Sequence, residues 1–111
     1  MRSSICLAAA VFSLVTWLGN AQAQILVGQT AGFTGPVAAG VKETTDGAKL
    51  YIDSINAKGG VHGQKIELVS LDDKFDPKLA AENARKLVEE QNVLALFLNR
   101  GTPHTEAIAA V

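Results

Sequence analysis

The sequence predicts an α/β protein with a doubly wound, parallel sheet. Three short apolar segments predict strands, at residues 25–28, 65–71 and 93–98. Each is followed by helical periodicity or a helix-start signal, so the predicted order is β-α-β-α-β-α. Such alternation gives parallel sheets with right-handed crossovers, and ligands bind at the carboxyl ends of the strands. The loops at those ends, where we expect the ligand, are residues 28–36, 72–76 and 99–102.

The first residues have the pattern of an export signal. A short positive start precedes an apolar stretch of 14 residues at 5–18, too short for the roughly 20 apolar residues of a membrane-spanning helix. Ala21-Gln22-Ala23 fits a small-x-small cleavage site, which predicts a signal peptide over residues 1–23, cleaved after Ala23. The mature chain, residues 24–111, contains no cysteine because Cys6 lies in the signal, so no disulfide can form.

Residues 25–28 predict the first strand, and the Gly/Pro/Thr-rich residues 29–36 predict a loop. From Val37 to about Ala57, apolar or small residues recur at spacings of three and four, which predicts an amphipathic helix. The predicted buried positions are Val41, Thr45, Ala48, Ile52 and Ile55. Gly59-Gly60 ends the helix, since a left-handed residue after a helix is most favourable as glycine.

Residues 65–71 at first alternate apolar and polar residues, which favours a strand near the sheet edge. The carboxylates of residues 72–76 could bind a cation, but the segment lacks the length and periodic oxygens of a calcium loop. We therefore expect a solvated loop, followed by a helix that starts at Asp76-Pro77 and ends near Glu90. The predicted buried positions of that helix are Ala80, Ala81, Ala84, Leu87 and Val88.

Residues 93–105 predict a strand, a polar loop and the start of a third helix. Val93–Leu98 is six apolar residues without alternation, which favours a central strand covered on both faces. Thr102 is a candidate N-cap, with Pro103 as the first helical residue. The free amides of that turn could bind a carboxylate, with the hydroxyls of Thr102 and Thr105 beside it. The alternative is a cap that starts a helix and binds nothing.

Three further side chains could complete an anion site. Arg100 could add positive charge for a carboxylate, or point to solvent. His104, which we expect on an exposed first turn facing the crevice, could donate to an anionic ligand, line the pocket or be ordinary surface. Phe33 in the first loop could provide an apolar wall, because small-ligand clefts are mostly apolar with a few polar anchors.

Composition and motifs argue against several classes of function. The 10 basic and 11 acidic side chains, with 5% aromatic residues, give no nucleic-acid surface. No Gly-x-Ser-x-Gly turn or Walker-type phosphate loop occurs, and the early glycines lack the spacing of a dinucleotide fingerprint. His62 and His104 stand 42 positions apart, which is no metal-ligand spacing. We therefore expect no metal, no cofactor and no enzymatic activity.

Five segments together carry a family resemblance. In chain order they are Thr34-Gly35-Pro36-Val37-Ala38, Asp46-Gly47-Ala48, Ile55-Asn56-Ala57-Lys58-Gly59-Gly60-Val61-His62-Gly63, Asp72-Asp73-x-x-Asp76-Pro77 and Gly101-Thr102-Pro103-x-Thr105. In order and spacing they resemble the periplasmic substrate-binding proteins of ABC transporters for branched-chain amino acids, the leucine/isoleucine/valine-binding type. The resemblance covers the whole predicted mature chain.

The resemblance implies a two-lobed, periplasmic, type I binding-protein fold that traps a small ligand between its lobes. Residues 24–111 would form the first part of lobe 1 of a longer protein. In the family the loop after the third strand holds the ligand's α-carboxylate, which points to Gly101, Thr102 and Thr105. The implied partners are an amino acid or a related carboxylate or amide, and the membrane permease. The family's ammonium-binding acids would lie beyond Val111.

Two other classes of function remain as alternatives. The ligand-sensing ectodomain of a signalling receptor uses the same fold, and a secreted α/β enzyme would need a nucleophile–base pair or metal cluster that this chain does not show. The ligand itself also stays open. Ala39-Gly40 stands where relatives that bind branched-chain amino acids often have a bulky aromatic residue, so a larger ligand such as an aromatic acid, an amide or a urea-like molecule could fit.

Overall fold

The structure, a computed structural model, describes residues 23–111, so the predicted signal segment and Cys6 lie outside the described residues. Strands and helices alternate as the sequence predicts. Their bounds are β1 Ile25–Ala31, α1 Ala38–Ala57, β2 Ile66–Asp72, α2 Pro77–Arg85, β3 Ala95–Leu96 and α3 Thr102–Ala109. A π-helical turn, Lys86–Glu90, continues α2. Within residues 23–111, none of the helices has the length and apolar character needed to span a bilayer.

The three strands form one parallel sheet in the order β2-β1-β3. β1 pairs with β2 along its whole length and with β3 through Val27 and Gly28. β1 also runs three residues beyond its predicted end, because the polar residues Gln29 and Thr30 continue the pairing instead of starting a loop. The α/β class, the parallel direction and the edge position of β2 among the described strands are confirmed.

Residues 93–98 do not form the long strand, covered on both faces, that the sequence predicts. β3 contains only Ala95–Leu96 and, among the strands of residues 23–111, pairs with β1. Leu94 is 78% exposed and Phe97 is 45% exposed, and an apolar groove of about 290 Å³ lies between β3 and α1. An apolar run indicates a strand suited to burial, but the pairing partners decide which strand is central. Here the strand with two partners is β1.

α1 covers one face of the sheet, as its periodicity predicts. Val41 and Thr45 are buried, and the other predicted positions, Ala48, Ile52 and Ile55, are partly buried. The helix ends at the glycine pair, where Gly59 and Gly60 have φ of 100° and 74°. The side chain of Asn56 then bonds both the amide and the carbonyl of Ile66 at 2.8 Å, which fixes the end of α1 to the start of β2.

α2 and α3 pack together on the other face of the sheet. α2 starts as predicted, since Asp76 accepts a hydrogen bond from the amide of Lys78 at 2.8 Å and Pro77 opens the helix. Its core residues are Ala80, Ala84 and Leu87. Val88, also predicted in the core, is exposed. Val88 lies in the π-helical turn, where the 3.6-residue repeat used for the prediction does not hold.

Candidate functional site

The loops at the carboxyl ends of the strands converge, as the sequence predicts, and polar side chains at the end of β1 join them. Gln29 Nε2 donates to the carbonyl oxygen of Leu98 at 3.2 Å. The amide of Thr30 donates to Asn99 Oδ1 at 3.0 Å, and the Thr30 hydroxyl donates to Asp73 Oδ2 at 2.9 Å. The end of the central strand therefore holds both neighbouring loops.

Sequence reasoning did not identify these connecting residues. The available signal was a polar pair, Gln29-Thr30, directly after an apolar strand start. In a parallel strand, successive side chains point to opposite faces. Gln29 accordingly bonds Thr45 of α1, whereas Thr30 bonds Asn83 of α2. Polar residues that extend a buried strand at its carboxyl end are thus a sign that the strand organises a site.

The acidic segment at the end of β2, residues 72–76, is not wholly the solvated loop that the sequence predicts. Asp73 is fully buried, and its carboxylate accepts hydrogen bonds from the Thr30 hydroxyl and the Phe75 amide at 2.9 Å each. Asp72 accepts from the Thr34 hydroxyl at 2.6 Å and from the Lys74 amide at 2.9 Å. These carboxylates bind protein donors and shape the turn, and residues 23–111 contain no cluster of three metal-ligating side chains.

Asp72 gives the loop a pH dependence. Desolvation raises the pKa of Asp72, but hydrogen bonds from Thr34 and from the amides of Lys74 and Phe33 outweigh it and hold that pKa below its ordinary value. A carboxyl group whose pKa is lower in the folded than in the unfolded protein stabilises the fold at pH values above its pKa in the unfolded protein. This stabilisation is lost as the pH falls through its pKa in the folded protein. We expect Thr34→Val to raise the pKa of Asp72, because the hydroxyl donor is removed.

An NMR titration of the Asp72 carboxyl checks this expectation. Thr44→Val is the matched control, because the exposed Thr44 hydroxyl bonds the carbonyl of Gly40 and does not touch Asp72. The stability lost in Thr34→Val should be visible at neutral pH and should vanish in acid, once Asp72 is protonated in both proteins. Equal Asp72 pKa values in wild type and Thr34→Val would show that the 2.6 Å hydrogen bond from Thr34 does not lower the pKa of Asp72.

α3 begins one residue earlier than the sequence predicts. Gly101 is the N-cap, with φ of 109°, and Thr102 is the first helical residue, so the prediction of Thr102 as N-cap is wrong. Glycine is required for two reasons: the backbone is left-handed, and a Cβ here would collide with Nδ1 of His104. The amide and the hydroxyl of Thr105 both donate to the Gly101 carbonyl at 2.9 Å. This helix start is therefore held by backbone geometry.

The first turn of α3 presents unpaired donors. No side chain caps the helix, and no acidic residue lies in its first turn. The amides of a helix's first turn have no intrahelical acceptor. Pro103 has no amide hydrogen, so the free donors of this turn are the amides of Thr102 and His104. Thr102 is exposed, and its hydroxyl stands on the same turn. Because the helix dipole is positive at this end, the turn favours an anion.

Arg100 adds a full positive charge to this region. Its guanidinium reaches the first turn of α1, where a Cβ on Gly40 would lie 2.7 Å from Nη1. α1 also starts without a side-chain cap or an acidic first-turn residue. A cation at the positive end of a helix is unfavourable unless an anion neutralises it. Together with Gln29, Val41, Thr44, Leu98 and Asn99, Arg100 lines a cavity of about 140 Å³.

His104 does not occupy the exposed position that the sequence predicts. The residue is 3% exposed, and its ring stacks on Phe75 with 4.5 Å between ring centroids. Neither ring nitrogen has a hydrogen-bond partner within residues 23–111. The third position of α3 points toward α2 and the loop before it, so the ring faces the protein interior. Phe33 is half-buried in the β1–α1 loop and does not line the cavity beside Arg100.

Comparisons with known proteins agree with this fold. The sequence profile of a family described as periplasmic binding protein matches residues 24–111. A Leu/Ile/Val-binding protein homolog 7 from Brucella suis is 37% identical over 91 residues, which cover 82% of this chain and 23% of the relative. A branched-chain amino acid transporter substrate binding protein, LivJ, from Streptococcus pneumoniae, solved in complex with isoleucine, has a TM-score of 0.74 and 33% identity, covering 79% of this chain and 25% of that one.

A second solved structure carries a different acid. The solute binding protein of an ABC transporter from R. palustris, in complex with benzoate, has a TM-score of 0.69 and 26% identity, over 79% of this chain and 24% of that one. This chain thus spans about a quarter of the length of these relatives. The relatives are binding proteins and not enzymes, and the resemblance inferred from the motifs is confirmed. The chain belongs to the periplasmic binding protein family and has the type I α/β fold.

Proposed function

We propose that this chain is the N-terminal part of an exported receptor that captures a small carboxylate and passes it to the membrane permease of an ABC transporter. The observation that carries the proposal is the uncapped start of α3, which follows two residues after Arg100 in a loop whose guanidinium lies at the first turn of α1. An amino acid or a related acid would bind between two lobes and stabilise their closure. The predicted signal peptide, residues 1–23 with cleavage after Ala23, and membership of a periplasmic family support a periplasmic location.

The donors at the start of α3 suggest how a carboxylate is held. Its oxygens would accept hydrogen bonds from the amides of Thr102 and His104 and from the Thr102 hydroxyl, and Arg100 would supply the counter-charge. Thr105, expected from the sequence beside the carboxylate, has a supporting role in this proposal. Its hydroxyl hydrogen is used by the Gly101 carbonyl, so Thr105 supports the turn and is free only to accept.

The ligands of the solved relatives support a carboxylate as the shared chemistry. Isoleucine and benzoate differ in shape and in the presence of an ammonium group, but each carries one carboxylate. The space that Gly40 leaves by lacking a side chain is filled here by Arg100. A ligand that reaches this space therefore meets the Arg100 guanidinium. The absence of a bulky residue at position 40 leaves less room for a larger apolar ligand than the sequence alone suggests.

Binding calorimetry on the protein expressed from its complete gene tests the proposal. The probes are leucine, isoleucine, valine and benzoate, each paired with its primary amide, in which a neutral carboxamide replaces the carboxylate. We expect at least one acid to bind, and its amide to bind at least about tenfold more weakly, because charge-assisted hydrogen bonds are lost. If no acid binds, or if an amide binds as well as its acid, the carboxylate site is refuted.

Variants of the turn locate the site. Arg100→Met should weaken binding of that acid by about tenfold or more, and Thr102→Ala by about fivefold. Arg85→Met is the matched control, since Arg85 is an exposed arginine at the end of α2. An affinity within about twofold of wild type in Thr102→Ala, under 0.5 kcal/mol, would remove the threonine from the site.

A further inference from the structure

The Gln29 side chain is a buried junction of three elements. It is 1% exposed. Its Nε2 donates to the Thr45 hydroxyl of α1 at 3.0 Å and to the Leu98 carbonyl after β3 at 3.2 Å. Its Oε1 accepts from the Ser70 hydroxyl of β2 at 2.9 Å. Both amide hydrogens and the amide oxygen are therefore used, and the side chain connects a helix and an adjacent strand to the loop that starts α3.

That loop adopts a conformation that needs support. Leu98 has φ of 58°, a left-handed backbone that disfavours any residue with a Cβ. The side chain of Asn99 then lies beside β1, in the place that the backbone of a longer β3 would occupy. Its Oδ1 accepts a hydrogen bond from the amide of Thr30. The loop is thus held from two sides by consecutive residues of β1. Gln29 holds the carbonyl of Leu98, and Thr30 holds the side chain of Asn99.

We propose that Gln29 is a positioning residue that fixes residues 98–102 in the conformation that receives the ligand. The inference rests on the proposed function, in which Arg100 and Thr102 contact the ligand. An uncharged amide suits this role, because the site requires a donor to Leu98 and an acceptor for Ser70, and Gln29 is 1% exposed. A glutamate would keep the acceptor, lose the donor and bury a charge.

Amide hydrogen exchange in the complete protein without ligand tests the positioning directly. The amide of Thr30 is the reporter, because its acceptor is the Asn99 side chain of the loop. We expect Gln29→Met to accelerate exchange of this amide by about fivefold or more. Ser70→Ala is the matched control: it removes a hydrogen bond to the same side chain but leaves the bond to Leu98. It should lower the melting temperature yet leave Thr30 exchange within about twofold of wild type.

A shorter side chain tests the same contact with less disturbance. Gln29→Asn keeps an amide but withdraws it by one methylene from the Leu98 carbonyl, so it should accelerate Thr30 exchange as Gln29→Met does. This variant decides the question if the methionine variant does not fold. Unchanged Thr30 exchange in the folded variant, or equal acceleration in Ser70→Ala, overturns the inference.

Affinity for the acid that binds the wild type gives the second measurement. Gln29→Asn should weaken binding by about fivefold or more, and Ser70→Ala should not. Faster loop exchange with unchanged affinity also overturns the inference, because the loop would then not need positioning. The exchange result requires no ligand. If the wild type binds none of the acids, the proposed function fails, and Thr30 exchange still decides whether Gln29 holds the loop.

Discussion

Replacing Gly101 with alanine is expected to destabilise the protein by about 3 kcal/mol and to abolish capture of the ligand. Gly101 has φ of 109°, and an added Cβ would collide with His104 Nδ1. His104 has little freedom to retreat, because its ring is buried and stacked on Phe75. The start of α3 must therefore move, and the amides that we assign to the carboxylate move with it. Urea unfolding and calorimetry with the acid that binds the wild type measure the two effects.

Gly59→Ala is the matched control, because it measures the cost of a side chain on a left-handed backbone without a collision. Gly59 has φ of 100°, and an added Cβ would meet nothing within 4 Å. Its substitution should cost about 1 kcal/mol and leave ligand affinity unchanged. Equal losses of stability in the two variants would mean that the contact between Gly101 and His104 is unimportant. Wild-type affinity in Gly101→Ala would contradict the placement of the ligand at the start of α3.

Replacing Asp73 with alanine is expected to destabilise the protein by about 3 kcal/mol. The carboxylate is fully buried and accepts hydrogen bonds from the Thr30 hydroxyl and the Phe75 amide, at 2.9 Å each. Alanine would leave the buried Thr30 hydroxyl and the partly buried Phe75 amide without this acceptor. The Thr30 hydroxyl also accepts from Asn83 Nδ2 at 3.2 Å, so the loss would spread to α2. Urea unfolding followed by circular dichroism measures the change, with an unaltered m-value as the sign of a pure stability effect.

Two further aspartate variants separate burial from charge. Asp53→Ala removes an exposed aspartate of α1 and should stay within about 0.5 kcal/mol of wild type. Asp73→Asn keeps one acceptor for the Phe75 amide and should lose less than Asp73→Ala. If Asp73→Ala lowers the free energy of unfolding by less than about 1 kcal/mol, the hydrogen bonds of Asp73 stabilise the fold no more than those of an exposed loop.

Much of the fold is encoded in local sequence patterns. The periodicity of residues 37–57 defined α1 and its buried face, Asp76-Pro77 defined the start of α2, and Gly59-Gly60 defined the end of α1. Each of these signals arises from interactions between residues at most about four positions apart. The alternation of strands and helices then implied a parallel sheet, and with it the edge at which the loops meet.

Local patterns failed where burial depends on distant partners. Val93–Leu98 has the composition of a strand buried on both faces, yet only Ala95–Leu96 pairs with β1, and Leu94 and Phe97 are exposed among the described residues. His104 has the sequence position of an exposed first turn, yet its ring is buried against Phe75. Asp73 stands in a charged segment that predicts solvent exposure, yet Thr30, 43 positions away, provides the hydrogen bond that lets it be buried.

Ordered motifs and helix-start signals were enough to predict the α/β class, the family and the loop in which we place the ligand. How that loop is held became visible in the folded chain alone. Gln29 and Thr30 reach Leu98 and Asn99 across 69 positions of the chain, and Arg100 enters the space beside Gly40. A hydrogen bond or a steric fit depends on positions in space, which chain folding sets and which no local spacing of residues records.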